Sequence, residues 1–257
     1  MNFRVGLVAM LAITFAMGVR AQEKCALPST VESPQPLEQK LQKRPTDYMA
    51  LVLSWSPEHC ESQRLLLEKA KDDDARAKIQ AKQGFQCFAA NRFEWVVHGL
   101  WPQYGQAANG NDHPRHCAPS DGLPAALVRK HLCMMPGGAL MQNEWQAHGT
   151  CGWPTADDYF DEIQRLYLGL KRPTTVQMLG PIGSGSNRLV EVKVSKVKQS
   201  FYDLNPTLPA GSVRVNVASG NLLKEVWVCL SKDKKVMACP SDGAPDQLTV
   251  RARTPRQ

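Results

Sequence analysis

Eight cysteines constrain this chain more than any other feature of its sequence. Their number is even, and all of them follow an apolar N-terminal segment. In a protein that leaves the reducing cytoplasm, this usage is typical of a framework of disulfides. Because spacing alone does not fix which cysteines pair, the pairing stays open on these grounds.

Residues 1–21 predict export. Arg4 gives a charged start, an apolar run extends from Val5 to Val19, and Ala21 ends a small-residue cleavage site. This order is typical of a secretory signal peptide, and the run is too short to span a bilayer comfortably. We therefore expect cleavage after Ala21 and a periplasmic or secreted protein without a membrane anchor.

The remaining part, residues 22–257, is long enough for one sizeable core, so we expect a single domain. Its end, residues 240–257, is polar and predicts a flexible tail. The formal net charge of +7 falls to +5 once Arg4 and Arg20 are removed. A modest positive balance favours a polyanionic partner without requiring one.

Strand and helix patterns do not alternate regularly along the chain. Runs rich in β-branched and aromatic residues predict strands at 49–55, 93–97, 189–194, 212–217 and 222–230. Other segments predict helices at 64–81, 123–132, 157–170 and 195–204, and a glycine-rich loop is expected at 180–187. Without regular βαβ order, this set predicts an α+β fold with a central antiparallel sheet and several flanking helices.

The segment from Asn143 to Cys151 carries the first candidate chemistry. If it is helical, as the residues before Gly149 allow, Glu144 and His148 lie one turn apart on the same face. A carboxylate beside an imidazole can hold or transfer a proton. Such a pair is more often a surface ion pair beside a structural cysteine, so it does not establish a site by itself.

A second histidine lies in an equally unusual setting. The strand pattern of residues 93–97 runs directly into His98-Gly-Leu-Trp-Pro102, where Gly99 and Pro102 are expected to end the strand. His98 should therefore lie at a strand terminus, with Trp101 nearby. Two histidines in such distinctive settings suggest an acid/base site.

These two segments resemble the signature segments of the T2 family of ribonucleases. They are His98-Gly-Leu-Trp-Pro102 and Glu144-Trp-Gln-Ala-His-Gly-Thr-Cys151, which occur in the family order. The similarity extends from Leu51-Val-Leu-Ser-Trp-Ser-Pro-Glu-His-Cys60 to Leu223-Lys-Glu-Val-Trp-Val-Cys229 and Cys239-Pro240. The chain is therefore identified as a member of this family, similar to its exported bacterial representatives.

The resemblance implies an endoribonuclease that needs no metal or other cofactor. Such an enzyme lets the 2′-hydroxyl of single-stranded RNA attack the adjacent phosphate, giving a 2′,3′-cyclic phosphate and then a 3′-phosphate, with low base specificity. DNA lacks that hydroxyl and should not be cleaved. We expect the enzyme to be a monomer with single-stranded RNA as its partner.

The resemblance also assigns residues. His148 would be the base and His98 the acid, with the roles reversed in the hydrolysis of the cyclic phosphate, and Glu144 would hold or tune His148. Trp101 could stack on a base, although a core tryptophan is an equally good interpretation. The substrate-binding set would be completed by Asn143 and Gln103.

The family pattern further suggests the disulfides Cys60–Cys87, Cys117–Cys151 and Cys229–Cys239. Cys25 and Cys133 are left over, and their pairing with each other is a working hypothesis.

Three positions depart from the family pattern. Many relatives have a histidine at the position of Asn143 and a lysine at that of Ala147, and both bind the phosphate. Another cation, Arg115, Arg129 or Lys130, would have to take the place of the lysine, or turnover would be lower. Some relatives have an acidic residue at the position of Gln103, so base preference is not transferred.

Three alternatives stay open. A catalytically weak RNA-binding or toxin-like relative would fit the missing lysine. A cysteine hydrolase would use Cys151 with His148, although a thiol in an exported protein is expected to be oxidised. A metal-dependent nuclease would use His113 and His116, whose spacing with Cys117 is the one zinc-like feature. Thiol titration and an assay in EDTA separate these alternatives.

Overall fold

A computed structural model of the chain describes residues 25–181 and 188–256. The predicted signal peptide, its cleavage after Ala21 and most of the predicted loop 180–187 lie outside the described residues. The strands are β1 (Tyr48–Trp55), β2 (Trp95–Gln103), β3 (Leu189–Lys193), β4 (Val213–Ala218), β5 (Leu222–Ser231) and β6 (Thr249–Arg253). The α-helices are α1 (Ser56–Glu68), α2 (Asp73–Gln83), α3 (Ala125–His131), α4 (Gly138–Ala147), α5 (Ala156–Gly169), α6 (Thr175–Leu179) and α7 (Val194–Leu204).

The six strands form one sheet in the order β2-β1-β5-β6-β3, and β4 pairs with β5. The α+β prediction is confirmed. The sheet is antiparallel as predicted except at one pairing, because β5 and β6 meet in parallel at Leu222 and Arg251. The other strand pairs are antiparallel, including the hairpin that β4 and β5 form from the predicted strands 212–217 and 222–230.

The core lies between the sheet and the helices, and aromatic side chains fill much of it. Trp55 and Trp95 pack with ring centroids 4.8 Å apart, and Phe201 of α7 contacts Trp95 edge-on at 5.3 Å. The apolar face of α5 is spaced at helical intervals and includes Tyr159 and Ile163, both fully buried. This packing fixes β2 against α5, and β2 carries one side of the site described below.

The predicted flexible tail at residues 240–257 is wrong over the segment that forms β6. Val250 and Ala252 are fully buried, and the Arg253 carbonyl accepts a hydrogen bond from Trp55 Nε1 at 2.8 Å. The segment Thr-Val-Arg-Ala-Arg alternates small apolar and polar residues, which is a strand signal. Its basic composition concealed that period.

Four disulfides join Cys25–Cys133, Cys60–Cys87, Cys117–Cys151 and Cys229–Cys239, the same four pairs that the sequence analysis suggests. Among residues 25–181 and 188–256, no helix has both the length and the apolar character needed to cross a membrane.

Candidate active site

His98 does not end its strand, in contrast to the prediction. β2 continues through Pro102, which pairs with Met49 of β1, and β2 lies at the edge of the sheet, where a missing N–H is tolerated. In the β1–β2 register Val97 faces Leu53 and Gly99 faces Val52, so that His98 is the extra residue of a β-bulge. Such a bulge re-aims the side chain of the inserted residue.

Gly99 has a steric role at this bulge. A Cβ atom at this position would collide with the Glu144 carboxylate and with Trp101 Nε1. The absence of a side chain therefore lets the buried carboxylate of α4 approach the backbone of β2.

The second element of the site is the C-terminal end of α4. The helix ends at Ala147, and His148 follows it with φ −125°, its N–H donating to the Glu144 carbonyl at 2.9 Å. Gly149 is required there because a Cβ would collide with the rings of Trp145 and Tyr159. The helix end is held by the disulfide Cys117–Cys151.

Glu144 lies between the two histidines. Its Oε1 is 3.7 Å from Nε2 of His98, and its Oε2 is 3.8 Å from Nε2 of His148. The carboxylate is only 2% exposed and accepts a hydrogen bond of 2.6 Å from Trp101 Nε1. The two Nε2 atoms therefore approach the same buried carboxylate from separate elements.

The indole of Trp101 is part of the wall of the site. It stacks on His148 with ring centroids 5.2 Å apart and an interplanar angle of 28°, and it meets His98 edge-on at 5.0 Å. A third contact, edge-on at 5.2 Å, joins it to Trp227 of β5. One face of Trp101 is thus covered by His148, and base stacking by this residue stays a prediction.

These side chains line a pocket of about 620 Å³. His98, Glu144, His148, Trp101 and Gln103 all face it. The loop after β2 forms its rim and contributes Tyr104, Gly105, Ala107, Asn109, Gly110, His113 and Arg115.

Asn143 is the predicted site residue that does not line this pocket. It is exposed and faces a neighbouring groove that shares His98 as a wall, and its amide is 3.4 Å from Glu144 Oε1. Gln103 lines the pocket but is 2% exposed, with its amide donating to the Pro102 carbonyl at 2.9 Å.

The pKa values of the two imidazoles are shifted in opposite directions. Burial lowers the pKa of His98, but the hydrogen bond to Glu225 and the charge of Glu144 outweigh burial, so the pKa lies above its ordinary value of 6.5. For His148, burial and then the charge of Arg115 hold the pKa well below 6.5. Burial raises the pKa of the Glu144 carboxyl, against the opposing charge of His98.

Glu225 and Trp227 are site residues that the sequence analysis did not single out. Nδ1 of His98 is 2.8 Å from Oε1 of Glu225, and Trp227 Nε1 donates to Oε2 at 3.2 Å. A signal was present, because Glu225 is a carboxylate within a largely apolar strand pattern, and it is only 2% exposed. A buried charge in a central strand calls for a partner.

Of the three cations considered as substitutes for the missing lysine, Arg115 is the one that lines the pocket. Its backbone pairs with Gln42, and the next residue, His116, donates its N–H to the Ala147 carbonyl at 3.0 Å. Arg129 instead donates to the Pro28 carbonyl at 2.7 Å, and Lys130 binds Asp161 at 2.6 Å.

Two of the alternatives lose support from the cysteines. Cys151 forms a disulfide with Cys117, so it is not a free nucleophile, which contradicts the cysteine hydrolase. The same bond removes Cys117 as a thiolate ligand beside His113 and His116. Within the described ranges, no group of three or more His, Cys, Asp or Glu side chains is arranged to hold a metal ion.

Comparison with known proteins agrees with the fold and shows the family. The model of the ribonuclease T2 family matches residues 46–239, so the chain belongs to that family. A probable ribonuclease of Haemophilus influenzae is 36% identical over 200 residues, covering 77% of this chain and 63% of that protein. The chain thus spans slightly less than two thirds of this relative.

Other relatives are more distant. A ribonuclease of Aeromonas hydrophila is 28% identical over 225 residues, covering 80% of this chain and 86% of its own length. The structure of trichomaglin, described as an S-like ribonuclease, superposes with a TM-score of 0.58 at 17% identity, covering 83% of this chain and all of that one. The structure of RNase NT in complex with 5′-AMP superposes with a TM-score of 0.54 at 16% identity, covering 82% of this chain and 100% of that one. At these identities, the structures support the fold alone.

Proposed function

We propose that this protein is a metal-independent endoribonuclease that cleaves single-stranded RNA with low base specificity. The observation that carries the proposal is the pair of histidines from β2 and α4, which meet on either side of Glu144 in one pocket. RNA carries its own nucleophile, so the enzyme has to supply a base, an acid and positive charge for the phosphorane. The pocket residues His148, His98 and Arg115 are our candidates for these three roles.

In the first step, neutral His148 takes the proton of the 2′-hydroxyl, and its oxygen attacks the adjacent phosphorus. Protonated His98 gives its Nε2 proton to the 5′ oxygen as the bond from phosphorus to that oxygen breaks. The products are a 2′,3′-cyclic phosphate and a free 5′-hydroxyl. The lowered pKa of His148 and the raised pKa of His98 each favour the protonation state that this step needs.

In the second step the roles reverse. His98, now neutral, takes a proton from water, which attacks the cyclic phosphate, and His148 protonates the 2′ oxygen to leave a 3′-phosphate. Because His98 holds its proton more tightly than His148, the required protonation state is the minor one. Hydrolysis should therefore be slower than transphosphorylation, and cyclic phosphate should accumulate before it is consumed.

Arg115 would supply the positive charge that the family's lysine supplies elsewhere, since it lines the pocket near both His148 and Glu144. Glu144 would orient the two Nε2 atoms. Stacking on the aromatic wall tolerates any base, which favours low base specificity. We propose that the protein acts as a monomer in the periplasm or outside the cell, a location that suits its four disulfides.

A test is to incubate the protein with a single-stranded RNA that has one 2′-deoxy position, in EDTA, and to identify the product ends. The proposal expects cleavage with cyclic and 3′-phosphate ends, and no cleavage at the deoxy linkage or of DNA. Cleavage at the deoxy linkage would contradict internal attack, and loss of activity in EDTA would contradict metal independence. Binding without cleavage would indicate the catalytically weak relative instead.

A further inference from the structure

The carboxylate of Glu225 occupies a position that the proton transfers above leave unexplained. It lies on β5, the strand bonded to both β1 and β4, where it pairs in register with Ser54 and Asn216. His98 lies on β2, beyond β1 in the sheet order. The two side chains meet across β1 at 2.8 Å, and the bulge at His98 allows this approach.

We propose that Glu225 is a positioning residue for His98, holding the proton of Nδ1 so that Nε2 always faces the scissile phosphate. The inference rests on the proposed function and adds a division of labour between two buried carboxylates. Glu144 contacts the Nε2 atoms of both histidines, whereas Glu225 contacts only Nδ1 of His98.

The proton balance of the reaction explains why this contact matters. In the cation, Nδ1–H donates to Glu225 and Nε2–H faces the pocket. After Nε2 gives its proton to the 5′ oxygen, the neutral ring keeps Nδ1–H because a carboxylate accepts it, and the lone pair is left on Nε2. That lone pair is then correctly placed to accept a proton from water in the second step.

Glu225 is itself held in place. Its second oxygen accepts the Trp227 N–H, and the guanidinium of Arg214 covers the Trp227 ring with its carbon 4.5 Å from the ring centroid. Burial raises the pKa of Glu225, but the hydrogen bond and charge of His98 outweigh burial and keep the pKa below its ordinary value. A carboxylate that stays ionised and immobile can fix both the tautomer and the orientation of the ring.

Besides burial, three charged groups shift the pKa of His98: Glu225 and Lys224 from β5, and Glu144 from α4. The charge of His98 in turn lowers the pKa of His148 beyond the end of α4 and of His59 in α1. Lys224 is exposed over 57% of its side chain and lies 3.6 Å from Glu225. Its charge opposes that of the carboxylates, so removing it should act in the opposite direction to removing Glu225.

The test uses Glu225→Gln, which keeps an acceptor for Nδ1–H and removes the charge. The basic limb of the pH profile for transphosphorylation reports His98, and it should move to lower pH by about one unit. Below that limb the rate should stay within about threefold of wild type, whereas Glu225→Ala should lower kcat at every pH because the ring is no longer held.

The two steps should also respond differently. With Glu225→Gln, hydrolysis of the cyclic phosphate should become faster relative to transphosphorylation, because more of His98 is neutral. Neutral His98 is a weaker base in this variant, which slows the proton transfer. The increase in the neutral fraction of His98 outweighs this effect, because the Brønsted coefficient for the proton transfer is smaller than one. Lys224→Gln should move the basic limb slightly to higher pH. A role for Glu225 in folding alone would produce neither change.

Glu58→Gln is the matched control, since Glu58 is also a buried carboxylate but binds Arg253 and does not line the pocket. The acidic and basic limbs of the pH profile for transphosphorylation should both be unchanged in this variant. An unchanged basic limb in Glu225→Gln, or an equal shift in Glu58→Gln, would overturn the proposal.

The tautomer of His98 can also be measured on the wild-type protein without an activity assay. The ¹⁵N shifts of the His98 ring should show that Nδ1 stays protonated while Nε2 titrates. A neutral ring protonated on Nε2 would overturn the role of Glu225 even if the protein cleaves RNA. Conversely, a protein with the expected tautomer and no ribonuclease activity would refute the proposed function and leave the positioning intact.

Discussion

The two histidines of the pocket share the Glu144 carboxylate and the Trp101 ring but differ in the rest of their surroundings. Nδ1 of His98 binds a second carboxylate, Glu225, and 29% of the His98 side chain is exposed. His148 is nearly buried, stacks on Trp101, and its Nδ1 has no hydrogen-bond partner among the described residues. The neighbours of an imidazole, rather than the residue type, thus decide the direction in which its pKa is shifted.

The largest effects should come from removing either imidazole. His98→Ala and His148→Ala should each lower the rate of RNA cleavage by ~10²–10⁴, because each deletes one proton-transfer group. RNA binding, measured by fluorescence anisotropy, should largely survive. Glu144→Gln should cost less than either, since Glu144 transfers no proton. Normal cleavage by His98→Ala would contradict the assignment.

Opening the disulfide Cys117–Cys151 should have the next largest effect. It joins the rim loop that carries Arg115 to the end of α4 that carries His148. The Cys117→Ser/Cys151→Ser variant should lose up to about 10²-fold in activity, because displacements of about 1 Å at a catalytic group are that costly.

The control for that variant is Cys25→Ser/Cys133→Ser, which removes a disulfide outside the pocket. It should lower the melting temperature while keeping kcat within a few-fold. Equal losses of activity in the two variants would show that the disulfides act through stability alone.

Replacing Arg115 tests whether this residue, on the His148 side of the pocket, supplies the positive charge for the phosphorane. Arg115→Ala should lower kcat/KM about 10-fold or more, because the charge on the phosphorane loses a partner. It should also raise the pKa of His148, moving the acidic limb of the pH profile to higher pH, since Arg115 lowers that pKa. Arg129→Ala serves as the control, because the Arg129 side chain binds the Pro28 carbonyl. This variant should change neither kcat/KM nor the acidic limb of the pH profile. An unaffected Arg115→Ala would leave the missing lysine without a substitute.

His131, which lies outside the pocket, tests how the burial of an imidazole affects the stability of the folded protein. His131 is fully buried against Phe160, and burial lowers its pKa to about 4. The unfolded chain therefore binds a proton more readily than the folded one between pH 6.5 and 4, and stability falls as the pH falls through this window. The loss is at most about 3 kcal/mol.

Urea unfolding at pH 7 and pH 4.5 measures that effect. His131→Gln should lose less stability between the two values than the wild type does. An identical loss in both proteins would assign the acid sensitivity to other groups.

The sequence predicted most of the elements because their signals are local. The helix at 157–170 corresponds to α5, whose apolar residues recur at helical spacing, and the hairpin of β4 and β5 follows from two apolar runs around Ser-Gly-Asn. The tail prediction was wrong because the strand of residues 249–253 is basic, and its buried alanine and valine carry a weak signal.

Within the site, the two signature segments pointed to His98, Glu144, His148 and Trp101, which the structure brings together around one pocket. Glu225 could not be predicted in the same way. Its contact with His98 spans 127 positions in the sequence and depends on the bulge in β2, which no local pattern specifies.

The central claim is that His98 and His148 differ in proton affinity in the direction that transphosphorylation requires. The most direct measurement is a ¹⁵N NMR titration of the histidine side chains in the wild-type protein, with His98→Ala and His148→Ala used to assign the resonances. His98 should titrate above 6.5 and His148 well below it. A His148 that titrates above His98 would contradict the assignment of His98 as the acid and His148 as the base.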